Sequence, residues 1–390
     1  MSDTQHFMIF GLTSWDSFPQ REQGLARELA AQGHEVDVIE MPASMAGKTH
    51  GVLQKLFTPL ARDRGFLRSE TPANLRVHIP PVMPTGFRNT LTPMVDRLLF
   101  RRWFSETFRG VDMRSSIGLI MMPLWWGRFL ERDVFDPGFL VYDIADALEV
   151  QSRSPRTLSR LRDCEHLLSR EADLVTFSAQ EMQREVDILF PGVASLFLPN
   201  AVSREFVEQC AVRNGNPATE KKEIGYVGST CGKWFDADLL LEVIRSFPDC
   251  TVSILGPVDK HLAARCAQHA NVRLHGFVPH KQLPEHLLRF DVAIIPFRQN
   301  GITRIVNPLK LYEYASAGLP MVATYTDELR NYAPLVTLAR DAGSFLQAIA
   351  DALESDAQDV REKRRSFAMA NTWTERVHRL LAVLKRQADN

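Results

Sequence analysis

The chain has 390 residues, 45% of them apolar and 24% charged, with a net charge of −1. That length carries two cores rather than one, and the balanced charge excludes bulk nucleic-acid binding. The five cysteines are scattered and none forms C-x-x-C, which excludes a disulfide framework and a structural zinc site and fits a reducing cytoplasm.

The first residues lack the basic start and apolar core of a signal peptide, and no run of about 18 apolar residues is present to span a bilayer. Residues 7–10 (Phe-Met-Ile-Phe) read as a strand. Residues 20–32 read as a helix with Leu25, Ala26, Leu29 and Ala30 on one face. Gly33 ends that helix, and residues 36–40 form the next strand. This is a Rossmann-type opening, but Gly11 stands without the other glycines of G-x-G-x-x-G. A nucleotide site is therefore not expected here. The long first loop carries Trp15, Asp16 and Arg21, which suit a different ligand.

Between residues 48 and 114 the texture changes, with twelve Lys or Arg against five Asp or Glu. Leu53, Leu56, Phe57 and Leu60 recur at helical spacing. So do Leu98, Leu99, Trp103 and Phe104, beside Arg97, Arg101 and Arg102. Basic amphipathic helices lie on anionic membrane surfaces; an ordinary packed helix with a solvated basic face gives the same pattern. Residues 117–122 are another strand. Trp125 and Trp126 follow it and offer ring faces to a sugar or to the core. The strand at 139–142 runs into Asp143 and Asp146, which ligand placement in open α/β sheets puts at the cleft. Asp146-Ala-Leu-Glu149 also fits a capping box. Residues 158–172 form a helix with Leu161, Leu167 and Leu168 inward, and residues 173–177 form a strand. Ser178 can cap a helix starting at Ala179. The polar stretch 213–223, with Gly215 and Pro217, is the best linker.

A second Rossmann-like half begins with the strand at 224–227. It enters Gly228-Ser229-Thr-Cys-Gly-Lys233, whose small residues let backbone amides approach an anion. Strands at 251–255, 272–275, 291–297 and 321–324 come next, separated by helices. Residues 344–353 and 373–385 are helical. The most informative stretch is 307–320. Asn307 reads as an N-cap, Pro308 as the first helical residue, Gly318 as the left-handed C-terminal residue and Pro320 as the stop. Lys310 lies in the first turn, where the helix dipole disfavours a cation by about 0.3–1 kcal/mol. A bound phosphate would reverse that sign. An internal pair of Lys310 with Glu313 is the plainer alternative.

Pro308, Lys310, Glu313, Tyr314, Ala317, Gly318 and Pro320 match P-x-K-x-x-E-Y-x-x-A-G-x-P. The stretch thus resembles the nucleotide-sugar glycosyltransferases of the GT-B fold. That resemblance implies two Rossmann-like domains facing across a cleft, with Lys310 on the donor diphosphate and Glu313 on the nucleotide ribose. Many retaining members carry a second Glu eight residues before the first; here that position is Ile305. Residues 226–229, 234–236, 275–277 and 291–297 recur in order in bacterial GT-B transferases, and 373–376 looks like their final helix. The first half is similar to inverting xanthan-type glucuronosyltransferases. In them an Asp after an L-V-Y strand acts as general base, a placement matched by Asp146 after Leu140-Val-Tyr142, and an Asp follows the opening strand, a placement matched by Asp16.

The expected organisation is an acceptor-binding domain at 1–202, a linker at 203–223, a nucleotide-sugar domain at 224–370, and a helix at 371–390 crossing back. The expected activity moves a sugar from a nucleoside-diphosphate sugar, UDP-linked by expectation, to a lipid-linked or polysaccharide acceptor with inversion. Asp146 would be the base, with Asp143 in reserve. Donor contacts are assigned to Lys310, Glu313, Asn307, Pro308, Gly228, Ser229, Lys233 and Arg304, with Phe277 and Val278 at the base. Trp15, Trp125 and Trp126 are assigned to the acceptor side. With no convincing D-x-D, no metal or other cofactor is expected. The location expected is the cytoplasm, peripheral on the inner membrane face through residues 48–114. Two other readings fit the same residues: a retaining family-4-like transferase in which Asp146 is only a cap, and a non-catalytic regulatory protein that binds nucleotide sugars.

Overall fold

The computed structural model describes residues 4–15, 19–42, 72–81, 93–151, 154–211 and 221–388. These divide into two compact units. The first comprises the chain up to Ser178, Met182–Leu198, and everything from Val377; the second comprises Ala179–Glu181 and Pro199–Arg376.

The first unit is a parallel sheet of β1 (His6–Phe10), β2 (Glu35–Ile39), β3 (Leu75–His78), β4 (Ser116–Ile120), β5 (Phe139–Ile144), β6 (Leu174–Phe177) and β7 (Ala194–Phe197). Their order is 3-2-1-4-5-6-7. Phe7, Met8, Ile9 and Phe10 of β1 are fully buried, the unbroken apolar run of a central parallel strand. An aromatic cluster fills the space beside it: Phe10, Phe100, Phe104, Trp125, Phe129 and Phe135. Buried polar residues interrupt the sheet, Asp37 of β2 among them. The buried Asp37 accepts from His6 Nε2 (2.6 Å), His78 Nε2 (2.6 Å) and Arg76 Nε (2.8 Å). Those bonds hold its carboxyl far below the usual range despite burial.

The second unit is a parallel sheet of β8 (Glu223–Val227), β9 (Thr251–Leu255), β10 (Val272–Gly276), β11 (Val292–Ile295), β12 (Met321–Thr324) and β13 (Thr337–Ala339), ordered 10-9-8-11-12-13. The strand order reverses between β8 and β11, which is where ligands bind in open α/β sheets. The core joins Ile224, Tyr226, Val252, Ile254, Val292, Ile294 and Val322 to the helix Ala237–Ser246 through Leu240, Val243 and Ile244. Asp236 caps that helix by accepting from Asp238 N and Leu239 N.

Several local expectations shift. In the helix Pro155–Glu171, Leu161 and Leu168 are buried but Leu167 is 42% exposed. The buried stripe runs through Cys164 instead. Ser178 does not cap a helix; its hydroxyl donates to the Ala145 carbonyl. The expected linker holds the helix Arg204–Ala211, whose Phe206, Val207 and Cys210 are buried; residues 212–220 lie outside the described ones. A further helix, Gln358–Met369, was hidden by its high charge. Among the described residues, no helix is long and apolar enough to cross a membrane.

Candidate active site

The loops that follow β8 and β11 carry the residues that matter. Gly228 turns the chain at the end of β8 with φ +131°, a value that favours glycine. Its N–H donates to Leu255 O at 2.8 Å. Gly256 faces it so closely that a Cβ there would meet Gly228 O at 2.4 Å. The loop is then pinned at Ser229, whose carbonyl accepts from Tyr226 OH at 3.0 Å, and at Thr230, whose N–H reaches Pro257 O at 3.0 Å. Lys233 closes it, half-buried, ahead of Trp234, which packs over Gly232.

Lys310 enters from the helix Leu309–Ala317. Its Nζ lies 5.4 Å from the centre of the Tyr226 ring and 5.2 Å from that of Phe297. A Cβ at Gly228 would stand 3.5 Å from the same nitrogen. The ammonium is thus held on two aromatic faces against the Gly228 turn. Tyr314, one turn on, accepts from Val227 N at 2.8 Å and ties the helix to the end of β8. Gly318 ends the helix at φ +73° in the left-handed region, as expected. The structure therefore brings Gly228, Ser229 and Lys310 together at the reversal of strand order.

The start of this helix differs from the expectation. Pro308 is the capping residue (φ −79°, ψ 132°), no side chain caps, and the helix begins at Leu309. Asn307 is buried and used elsewhere. Its Oδ1 accepts from Asn200 N (3.0 Å) and Tyr312 OH (3.1 Å), and its Nδ2 donates to Glu328 Oε1 (3.1 Å) and Tyr332 OH (2.8 Å). Four tertiary partners outweigh one cap bond worth about 1 kcal/mol. Glu328, fully buried in this network, has its carboxyl pushed up by burial, and the bonds from Glu181 N and Asn307 oppose that shift.

Glu313 is 7% exposed and accepts from His280 Nε2 at 3.0 Å. Burial, and then the Glu313 charge, pushes the Cys210 thiol up to about 12. Phe277 follows Gly276 and is 58% exposed, whereas the Val278 side chain is buried. Of these two residues it is therefore Phe277 that is open to a base. Arg304 is half-buried in the single turn Thr303–Ile305, and Ile305 is buried in the core.

In the first unit the residues are dispersed. Asp143 is buried and binds Arg21 in a two-pronged pair, Nε and Nη2 each at 2.7 Å, with Thr176 Oγ1 also on Oδ1. Both oxygens are committed, which removes it as a reserve base. Asp146 lies half-buried beyond β5, two residues before the helix Leu148–Gln151. Asp16 falls outside the described residues. The three tryptophans do not offer sugar platforms. Trp125 is fully buried and donates Nε1 to Gly11 O at 2.8 Å, Trp126 is 2% exposed and Trp15 is 7% exposed. Trp125 packs on Phe10, Phe100 and Phe129, while Arg27 lies over the Trp15 ring and Arg132 over the Trp126 ring. Two acids missed in sequence reading hold the first loop. Glu22 accepts from Leu12 N (2.9 Å) and Thr13 N (2.7 Å), and Glu40 accepts from Trp15 N (2.7 Å). Burial raises the Glu22 carboxyl, and those amide bonds oppose the rise. The only signal for Glu22 was an acid at the start of a helix, the commonest kind.

Residues 221–355 match the family described as glycosyl transferases group 1. Along 94% of its length the chain is 25% identical to the putative teichuronic acid biosynthesis glycosyltransferase TuaH of Bacillus subtilis strain 168, covering 94% of that protein. Its fold is similar to that of a sucrose-phosphate synthase from Thermosynechococcus elongatus (TM-score 0.72, 14% identity, 98% of each chain). It is also similar to HepE of Anabaena in complex with UDP and glucose (TM-score 0.65, 13% identity, 97% of this chain and 99% of the other). Residues 221–355 of the second unit thus match the glycosyl transferases group 1 family, and the chain is a glycosyltransferase with the two Rossmann-like units of the GT-B fold.

Proposed function

We propose that the enzyme transfers a hexose from a UDP-sugar to a hydroxyl of a lipid-linked or polysaccharide acceptor, with inversion and without a metal. The observation that carries this is the Lys310 ammonium held against the Gly228 turn at the reversal of strand order. Departure of a nucleoside diphosphate leaves negative charge on its phosphates. A pre-placed cation and backbone amides stabilise that charge without reorganising. Lys310 and the amides of the loop 228–233 fill that role. Glu313 takes the ribose hydroxyls, and the exposed Phe277 faces the base.

Inversion needs a base to take the acceptor proton as its oxygen attacks the anomeric carbon. Asp146 is the candidate, because Asp143 is locked by Arg21. The buried Ile305, where retaining relatives in the resemblance carry an acid, favours the inverting reading. The UDP held by HepE and the teichuronic acid role named for TuaH favour a UDP donor and a glycan acceptor. A lipid-linked acceptor draws support from the helix Pro93–Thr107, which exposes Met94, Val95, Leu98 and Leu99. Arg97 and Arg101 on that helix pair with Glu131 and Asp133, so apolar insertion rather than charge would dominate contact there. Residues 48–71 and 82–92 of the basic segment lie outside the described residues.

A calorimetric screen of UDP, GDP and TDP, followed by transfer assays in EDTA, tests the reading. UDP should bind and turnover should survive chelation. Tighter binding of GDP would overturn the donor assignment, and loss of turnover restored by Mg²⁺ would overturn metal independence.

A further inference from the structure

The ring of His280 is clamped. One face stacks on Phe206 of the helix Arg204–Ala211, with centroids 4.8 Å apart and planes 29° apart. Its Nε2 lies 3.0 Å from Glu313 Oε1. An ionised carboxylate has no hydrogen to give, so the nitrogen must donate. His280 belongs to the single turn His280–Gln282, just after Phe277 and Val278. It connects the strip assigned to the base with the acid assigned to the ribose. Glu313 lies one turn beyond Lys310 on the same helix face.

We infer that His280 is a positioning residue for donor recognition: clamped by Phe206, it fixes Glu313 through Oε1 and leaves Oε2 for the ribose hydroxyls. This rests on the reading of Glu313 as the ribose ligand. The physical basis is conformational freedom. A glutamate carboxylate has a broad, nearly two-fold terminal torsion. Without a fixed partner it would have to be ordered at each binding event, which lowers affinity. A neighbour held by stacking supplies the order in advance, as supporting residues do around other recognition groups.

The test compares the wild type with H280L, H280Q and E313A. Leu preserves packing on Phe206 and removes the hydrogen. Gln retains a donor at the position of Nε2. Affinities for UDP, 2′-deoxy-UDP and 3′-deoxy-UDP are measured by calorimetry, together with KM and kcat for the UDP-sugar. The wild type should prefer UDP over a deoxy analogue by about tenfold or more, the weight of a hydrogen bond to a charged group. E313A should erase that preference. H280L should reduce it several-fold and raise KM with kcat within about twofold, since binding but not chemistry is affected. H280Q should restore most of it. If E313A keeps the preference, Glu313 is not the ribose ligand and the inference falls with it. If E313A erases the preference and H280L leaves it intact, the role of His280 alone is refuted. If H280Q behaves as H280L does while both melt as the wild type, the hydrogen bond is not the operative element.

Discussion

Replacing Lys310 with alanine separates a ligand-binding lysine from a structural one. In the unliganded protein two terms oppose each other. The helix dipole disfavours the ammonium by about 0.3–1 kcal/mol, and contact with the Tyr226 and Phe297 faces favours it by about 0.5–1 kcal/mol. They nearly cancel, so K310A should change folding stability by less than about 1 kcal/mol and Tm by no more than about 2–4 °C. With a diphosphate present the balance is different. Unit charges about 4 Å apart at an effective dielectric of about 20 attract by about 4 kcal/mol. Lys310 is only half-buried, so screening and desolvation reduce this to about 2–3 kcal/mol. The dissociation constant for UDP should then rise about 30- to 150-fold. Calorimetry with UDP on both proteins, alongside thermal unfolding, reads the two quantities separately. An unchanged affinity would refute the phosphate role. A large fall in Tm would show that the lysine mainly serves the fold.

Asp146→Asn should lower kcat by about 10²–10⁴, the usual weight of a general base, while UDP affinity measured by calorimetry stays within error. Arg21→Ala strands the fully buried Asp143 and should cost about 3–5 kcal/mol by urea unfolding. The milder double change R21M/D143L should recover much of that. Asn307→Leu breaks a network of four bonds. It should destabilise by about 2–3 kcal/mol, since the buried Glu328 loses one of its donors and the Asn200 N–H loses this acceptor. Asp37 has a folded pKa below its unfolded value near 3.9. Its stabilisation is therefore complete above about pH 4–5 and is lost as pH falls through the lowered folded value. Unfolding free energy of the wild type measured between pH 7 and pH 3 should decline more steeply than that of D37N.

Most strands and the Lys310 helix were legible because they are written in local patterns. Buried apolar runs mark β1, β8 and β11, and Gly318 and Pro320 mark a helix end whatever surrounds it. Contacts set by the tertiary fold were not legible. Asn307 has the chemistry of a cap, but Asn200, 107 residues away, and Glu328, 21 away, claim it first. Asp143 looked available until the fold brought Arg21 to it across 122 residues. The tryptophans show the same ambiguity from the other side, since a flat apolar ring serves a sugar and a core equally well in sequence. His280 gave no signal at all. A lone histidine after a strand acquires meaning only when Phe206 and Glu313, far apart in the chain, are seen to hold it.

The Glu22 carboxylate sits on the amides of Leu12 and Thr13 in the first unit, the turn after an opening strand where a Rossmann fold ordinarily welcomes a phosphate. A tethered acid competes there at an effective concentration that no dissolved nucleotide matches. The protein has in this way plugged one of two equivalent sockets with its own side chain. That asymmetry sets the turn after β1, held by an internal acid, apart from the Gly228 turn after β8, which faces the Lys310 ammonium.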